Sequence, residues 1–151
     1  EKVAQYVEYK DTLEEALRDA DIVTVHIPAT KYNPHLFNRD LFSKFKKGAV
    51  FVNAARGSIV DTRALLDAID SGHIKGAALD TYEHERGLFP GDYRNKAIND
   101  DLLDELIARE DIWLTPHIAF YTDAAVKNLI VDALDAVIDV MNTGTTKLRV
   151  N

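Results

Sequence analysis

An arginine, a glutamate and a histidine of this sequence each stand where a short apolar run gives way to a turn. Arg56 lies in Asn53-Ala54-Ala55-Arg56-Gly57. A guanidinium is a planar fork suited to holding a carboxylate through two bonds. The small residues before it let a backbone or a flat ring approach closely. His117 follows Thr115-Pro116. The proline restricts the residue before it and sharpens the turn. An imidazole titrates near neutrality and exchanges a proton with a carbonyl or hydroxyl. Glu85 sits in Glu83-His84-Glu85-Arg86. A carboxylate bonded to a histidine fixes its tautomer and stabilises the imidazolium.

Each residue also has a plainer reading. Arg56 could be a surface arginine paired with a helix acid, and His117 a buried histidine satisfied by a carbonyl. Glu85 could be a solvated loop acid, and Asp80 a helix or turn cap. The combination is more specific than its parts. An arginine to orient an acid, a histidine to move a proton and a glutamate to tune it suit the reduction of a 2-oxo acid. The hydride would come from a cofactor, because no side chain supplies one.

The elements that must position these groups alternate between apolar runs and helical patterns. Asp11 or Thr12 caps a helix over Leu13–Ala20, with Glu14 and Glu15 in the first turn, where the helix dipole favours acids. Ile22–Ile27 is β-branched and ends at Pro28, which predicts a strand. Arg39–Phe45 is short and amphipathic and is stopped by Lys46-Lys47-Gly48. Ala49–Asn53 predicts a second strand. Asp61 caps a helix running to about Ser71, closed by Gly72. Ile74–Leu79 predicts a third strand, 86–100 a polar loop, Asp100–Arg109 a helix and Ile112–Leu114 a fourth strand. Asp123–Met141 predicts a long amphipathic helix, with Ala125, Leu129, Ala133, Ala136 and Val140 at helical spacing, followed by Gly144.

This alternation predicts an α/β fold, a parallel sheet with right-handed crossovers, its strands apolar because buried on both faces. Ligands of open α/β sheets bind outside the carboxyl ends of the strands. Those ends carry Ile27-Pro28, Asn53–Arg56, Asp80 with Glu83–Glu85, and Thr115-Pro116-His117, so the arginine, the carboxylates and the histidine fall on one edge.

Bulk properties remove several function classes. With 151 residues, 46% hydrophobic and 28% charged, the chain can bury a core of its own, and disorder is not expected. The net charge of −7 and the absence of a basic run argue against a nucleic-acid partner. No apolar run approaches the roughly 18 residues needed to span a bilayer, so no membrane partner is expected. The first residues, Glu1-Lys2-Val3-Ala4, do not read as a secretory signal. Zero cysteines exclude disulfides, zinc–thiolate sites and thiol nucleophiles, and the five histidines show no metal-binding spacing. A cytoplasmic protein without a metal is the expectation.

Four segments then carry a family resemblance. Val50–Asp61 reads VFVNAARGSIVD, Gly76–Tyr82 reads GAALDTY before Glu83–Glu85, Leu114–Ala119 reads LTPHIA, and Asp21–Pro28 reads DIVTVHIP. In this order they resemble the D-isomer-specific 2-hydroxyacid dehydrogenases over nearly the whole chain. The resemblance implies a partial Rossmann-like doubly wound parallel sheet, the second half of an NAD-binding domain, with NAD as cofactor and a small 2-oxo or 2-hydroxy acid as substrate. It also implies roles. Arg56 would hold the substrate carboxylate, His117 would give and take the proton, and Glu85 would pair with His117. Asp80 would contact the nicotinamide carboxamide. Ile27, Pro28, Ala54 and Ala55 would line the cofactor cleft, with Asn33 touching it and Tyr121 near the substrate.

Phosphoglycerate-type members usually carry a proline directly after the glutamate and two glycines after the histidine segment. Here Glu85 is followed by Arg86-Gly87-Leu88-Phe89, and the histidine segment continues Ala119-Phe120-Tyr121-Thr122. With the long loop 86–100, this is similar to the lactate and hydroxyisocaproate branch, and the Ile59-Val60-Asp61 segment favours pyruvate, reduced to D-lactate. D-2-hydroxyisocaproate and glyoxylate or hydroxypyruvate are the competing substrates. An NADH-sensing corepressor is the competing reading from outside enzymology.

No G-x-G-x-x-G occurs in the sequence, so the anion site that such a loop makes at a helix N-terminus is not encoded here. The resemblance therefore implies the C-terminal portion of a longer, homodimeric enzyme. Residues 1–121 would be the C-terminal part of its NAD-binding domain, and 122–151 a helix and tail returning to its substrate domain. On its own the portion is expected neither to bind NADH well nor to turn over.

Overall fold

The computed structural model describes residues 6–88 and 91–149. The Glu1–Ala4 segment and Phe89 lie outside the described residues. Two compact units make up the chain, Glu1–His117 and Ile118–Asn151.

The first unit is a four-stranded parallel sheet. Helix α1 (Leu13–Arg18) starts where Thr12 Oγ1 accepts the Glu15 N–H. It stops two residues short of the predicted end, because the Ala20 N–H turns back to the Leu17 carbonyl to feed the first strand. Strands β1 (Ile22–Val25), β2 (Ala49–Asn53), β3 (Ile74–Leu79) and β4 (Ile112–Leu114) lie side by side in chain order. Between them run α2 (Arg39–Ser43), α3 (Thr62–Asp70) and α4 (Asp101–Ala108). Asn38, Asp61 and Asp100 cap these three helices through their side chains. A single 3₁₀ turn, Gly57–Ile59, precedes α3.

β1 ends at Val25 rather than Ile27 because its partner runs out: Val25 pairs with Asn53, the last residue of β2. Helix α2 ends at Ser43 rather than Phe45, where its last turn tightens into bonds to the third residue back. The expectation of strands buried on both faces holds for β2 and β3 but fails at the two outer strands. Ile22 of β1 is 66% exposed and Trp113 of β4 is 76% exposed. Among the described residues each of these strands has a neighbour on one side only.

Four phenylalanines hold α2 to the sheet. Phe37, Phe42, Phe45 and Phe51 are all buried, with ring centroids 5.1–6.3 Å apart in tilted or edge-on pairs. Such pairs add about 0.5–1.5 kcal/mol each beyond their area. Leu65, Leu66 and Ile69 of α3 and Leu103 and Leu106 of α4 complete the core.

The second unit holds α5 (Asp123–Thr143), begun by Thr122 Oγ1 accepting the Ala125 N–H and ended by Gly144 in the left-handed conformation, φ +74°. None of its residues is buried. Leu129 and Val140 of the row singled out in the sequence are exposed, and so is a second set of large side chains, Ile130, Leu134, Val137, Ile138 and Met141, spaced by three and four residues. Among the described residues no helix is long and apolar enough to cross a membrane.

Candidate active site

The sheet register aligns the strand ends. Val25 lies opposite Asn53, Asn53 opposite Leu79, and Leu79 opposite Leu114. The residues just beyond these four therefore emerge side by side at the carboxyl edge. They are His26–Pro28, Ala54–Arg56, Asp80 and Thr115–His117.

The post-β2 segment is folded by Asn53, which is buried. Its Oδ1 accepts the Ala55 N–H at 3.0 Å and its Nδ2 donates to the Arg56 carbonyl at 3.0 Å. Arg56 is thereby held in extended backbone at the mouth of the sheet. Its Nη1 donates to the Ala55 carbonyl at 2.7 Å, and among the described residues it makes no salt bridge. The reading of Arg56 as the partner of a helix acid is thus set aside. Gly57 follows because nothing larger fits: a Cβ there would sit 2.0 Å from the carbonyl carbon of Tyr82. The arginine loop rests directly on the backbone of the Tyr82–Glu85 turn.

That turn closes when the Glu85 N–H donates to the Tyr82 carbonyl at 3.2 Å. Glu85 is held by both of its oxygens. Oε2 accepts the Tyr82 N–H at 3.1 Å and Oε1 lies 3.0 Å from His117 Nδ1. A carboxylate only accepts, so the imidazole proton on that bond belongs to Nδ1. His117 reaches this position with φ +54°, in the left-handed region, its own N–H donating to the Thr115 carbonyl. The two side chains are 33% and 19% exposed, open enough to meet a ligand and enclosed enough to strengthen their attraction. Below them the Tyr82 phenol, buried and donating to Asp100, has its pKa pushed up, first by burial and then by that carboxylate.

Asp80 is 8% exposed and its Oδ1 accepts the Thr115 hydroxyl at 2.6 Å, while its N–H donates to Asn53. The plainer reading of Asp80 as a helix or turn cap therefore gives way to a strand-to-strand bond. Ile27, Pro28, Ala54 and Ala55 line a cleft of about 400 Å³ with His26, Ala29 and Arg56. Asn33 braces one wall: its Nδ2 donates to the Pro28 carbonyl at 2.9 Å and its Oδ1 accepts the Thr30 N–H at 2.6 Å. The small residues of its walls leave room for a flat, partly hydrated group, and Asp80 sits at the neighbouring strand end. These residues fit the ring end of a dinucleotide. Larger apolar space beside α4, about 410 Å³ under Leu103, Leu106 and Ile112, has no titratable group in its lining and suits packing rather than chemistry. Tyr121 belongs to the second unit, where it is 71% exposed and its N–H donates to the Ile118 carbonyl. Among the described residues no group of three histidines and acids could hold a metal ion.

Four contacts escaped the sequence reading. His26 lines the cleft, Thr115 holds Asp80, the Tyr82 N–H anchors Glu85, and Glu83, which the sequence places on this edge, is nearly buried. None carries a periodic or spacing signal, since each is defined by what folding brings beside it.

Comparison with known proteins agrees with this geometry. The sequence profile described as "D-isomer specific 2-hydroxyacid dehydrogenase, NAD binding domain" matches residues 1–119. A D-lactate dehydrogenase of Staphylococcus aureus (strain MRSA252) is 49% identical over 150 residues, 99% of this chain and 46% of that protein. The structure of a D-lactate dehydrogenase from Sporolactobacillus superposes with a TM-score of 0.91 at 37% identity, over 99% of this chain and 45% of the other. That of a D-lactate dehydrogenase with NAD+ from Lactobacillus jensenii gives 0.84 at 32%, over 99% and 44%. The chain thus spans about half the length of the curated relatives it matches. It belongs to the D-isomer-specific 2-hydroxyacid dehydrogenase family, and its residues 1–119 match the NAD-binding domain of that family.

Proposed function

We propose that this chain is the C-terminal portion of an NAD-dependent D-lactate dehydrogenase that reduces pyruvate, with Arg56, Glu85 and His117 as its catalytic residues. The observation that carries the reading is the Glu85–His117 pair at 3.0 Å, standing on the same sheet edge as Arg56 and Asp80. The bound cofactor supplies the hydride. The protein's own residues do the rest. Arg56 binds the substrate carboxylate through its fork and turns the carbonyl toward the imidazole. His117 gives its Nε2 proton to the carbonyl oxygen as the alcohol forms and recovers it in the reverse direction. Glu85, fixed by the Tyr82 N–H, holds the ring at Nδ1 and stabilises its charged form. Asp80, oriented by Thr115, would hold the carboxamide end of the cofactor, and Ile27, Pro28, Ala54 and Ala55, with Asn33 bracing one wall, would line the cleft that receives it. Residues 1–121 serve the NAD-binding domain and 122–151 the substrate domain.

The test is an assay of the full-length protein with NADH and a panel of 2-oxo acids, beside a His117→Ala variant. Pyruvate should be the best substrate and D-lactate the product, and the variant should lose roughly 10²–10⁴-fold in turnover. Faster reduction of a branched 2-oxo acid, glyoxylate or hydroxypyruvate would replace the substrate but keep the reaction. NADH binding without turnover of any acid would make the protein a dinucleotide sensor.

A further inference from the structure

We propose that His35 and Glu83 form a positioning pair that ties one wall of the cofactor cleft to the turn bearing the catalytic glutamate, an inference that rests on the dehydrogenase reading above. Glu83 sits two residues before Glu85, on the turn that supports the Arg56 loop through Gly57. Its side chain is only 9% exposed and both oxygens are engaged. Oε1 accepts the Thr62 N–H at 3.0 Å, the first amide of α3, and Oε2 lies 2.8 Å from His35 Nε2. His84 Nε2 is farther from the same oxygen, at 3.9 Å.

The other end of the pair belongs to the segment that leaves β1 along the cleft. Asn33 knits this segment to itself through Thr30 and Pro28, so residues 28–33 behave as one piece. That piece is strung beside the residues following Arg56: the His35 N–H donates to the Ser58 carbonyl and the Phe37 N–H to the Ile59 carbonyl, both at 2.9 Å. His35 turns through φ +47°, a conformation that residues other than glycine seldom adopt. A strained backbone persists where its surroundings hold it, and such sites gather at ligand clamps. Here the turn is coupled to a side-chain hydrogen bond spanning 48 positions of sequence. The hydrophobic core does not need that pair, because Phe37 already anchors the segment among Phe42, Phe45 and Phe51. What the pair adds is a fixed distance between the Ile27–Pro28 wall and the Glu85 turn, so that cofactor and proton donor meet in register.

The experiment measures NADH binding by fluorescence titration and steady-state kinetics in the full-length protein, for wild type, His35→Gln and Glu83→Gln. Expected for His35→Gln is a rise in the KM for NADH of about three- to tenfold, larger than any fall in kcat, with the melting temperature nearly unchanged. Glu83→Gln also removes an α3 cap and should melt earlier, so His35→Gln carries the decision. A lower melting temperature with an unchanged KM for NADH would make the pair structural only and overturn the proposal. A fall in kcat alone would overturn it as well. Wild type that binds no NADH would overturn the dehydrogenase reading together with the pair, whereas wild type that binds normally beside an unaffected His35→Gln would sink the pair alone.

Discussion

At the scale of single residues, the site depends on an atom that is not there. Gly57 lets the arginine loop touch the backbone of Tyr82, and any Cβ at that position meets the Tyr82 carbonyl carbon at 2.0 Å and the Glu83 nitrogen at 2.4 Å. Both obstacles are backbone, so neither can rotate aside. Gly57→Ala must therefore push the Tyr82–Glu85 turn away from Arg56. Overpacking of this kind costs about 1–3 kcal/mol. Because the displaced turn carries Glu85, turnover should fall more steeply than stability. Chemical denaturation and kinetics of the same variant separate the two effects. Full activity with a lowered denaturation midpoint would mean that the site tolerates a shifted glutamate.

At the scale of elements, the turn after β3 and helix α4 are joined by one phenol. Tyr82 is buried and donates to Asp100, whose Oδ1 also accepts the Leu103 N–H at the start of α4. Tyr82→Phe should cost about 1.5–3 kcal/mol at pH 8, the range for a hydrogen bond to a charged group. The pH dependence has a definite sign. The folded phenol keeps its proton above its ordinary value near 10, while the unfolded phenol releases it there. Above pH 10 the unfolded state binds fewer protons, so the stability advantage of wild type over the variant is full below pH 10 and shrinks as pH rises further. Denaturant titrations of both proteins from pH 8 to about 11 read that difference, and parallel curves would show that the phenol ionises freely in the folded state. The same elements show what the sequence made legible. β2, β3 and β4, and the cap Asp61, follow from short local patterns, and so does the alignment of Arg56, Asp80 and His117 on one edge. The Gly57 contact, the Thr115–Asp80 bond and the His35–Glu83 pair join residues 25 to 48 positions apart, and no local pattern encodes them. The exposure of Ile22 and Trp113 was equally hidden, because an apolar run reads the same in a central strand and an outer one.

At the scale of the whole molecule, large apolar side chains lie open both on α5 and on the outer strands of the sheet. Ile130, Leu134, Val137, Ile138 and Met141 of α5 are each at least half exposed, and Ile22 and Trp113 lie open on the outer strands. Contiguous apolar surface of this kind is normally covered by protein, and open strand edges pair with other chains. Expressed as a chain of its own, the protein should therefore self-associate. Light scattering after size exclusion should give a mass above 16.9 kDa that rises with concentration. Leu134→Lys combined with Ile138→Lys places two charges in the middle of the α5 stripe and should move the distribution toward the single chain. The sheet, which neither residue supports, should keep its circular dichroism. Without a glycine loop for the pyrophosphate, the same chain should oxidise no NADH in the presence of pyruvate, whichever way it assembles. A monodisperse single chain before any substitution would show that the α5 stripe is tolerated in water. Turnover by that chain would show that the anion site of a glycine loop is dispensable for catalysis.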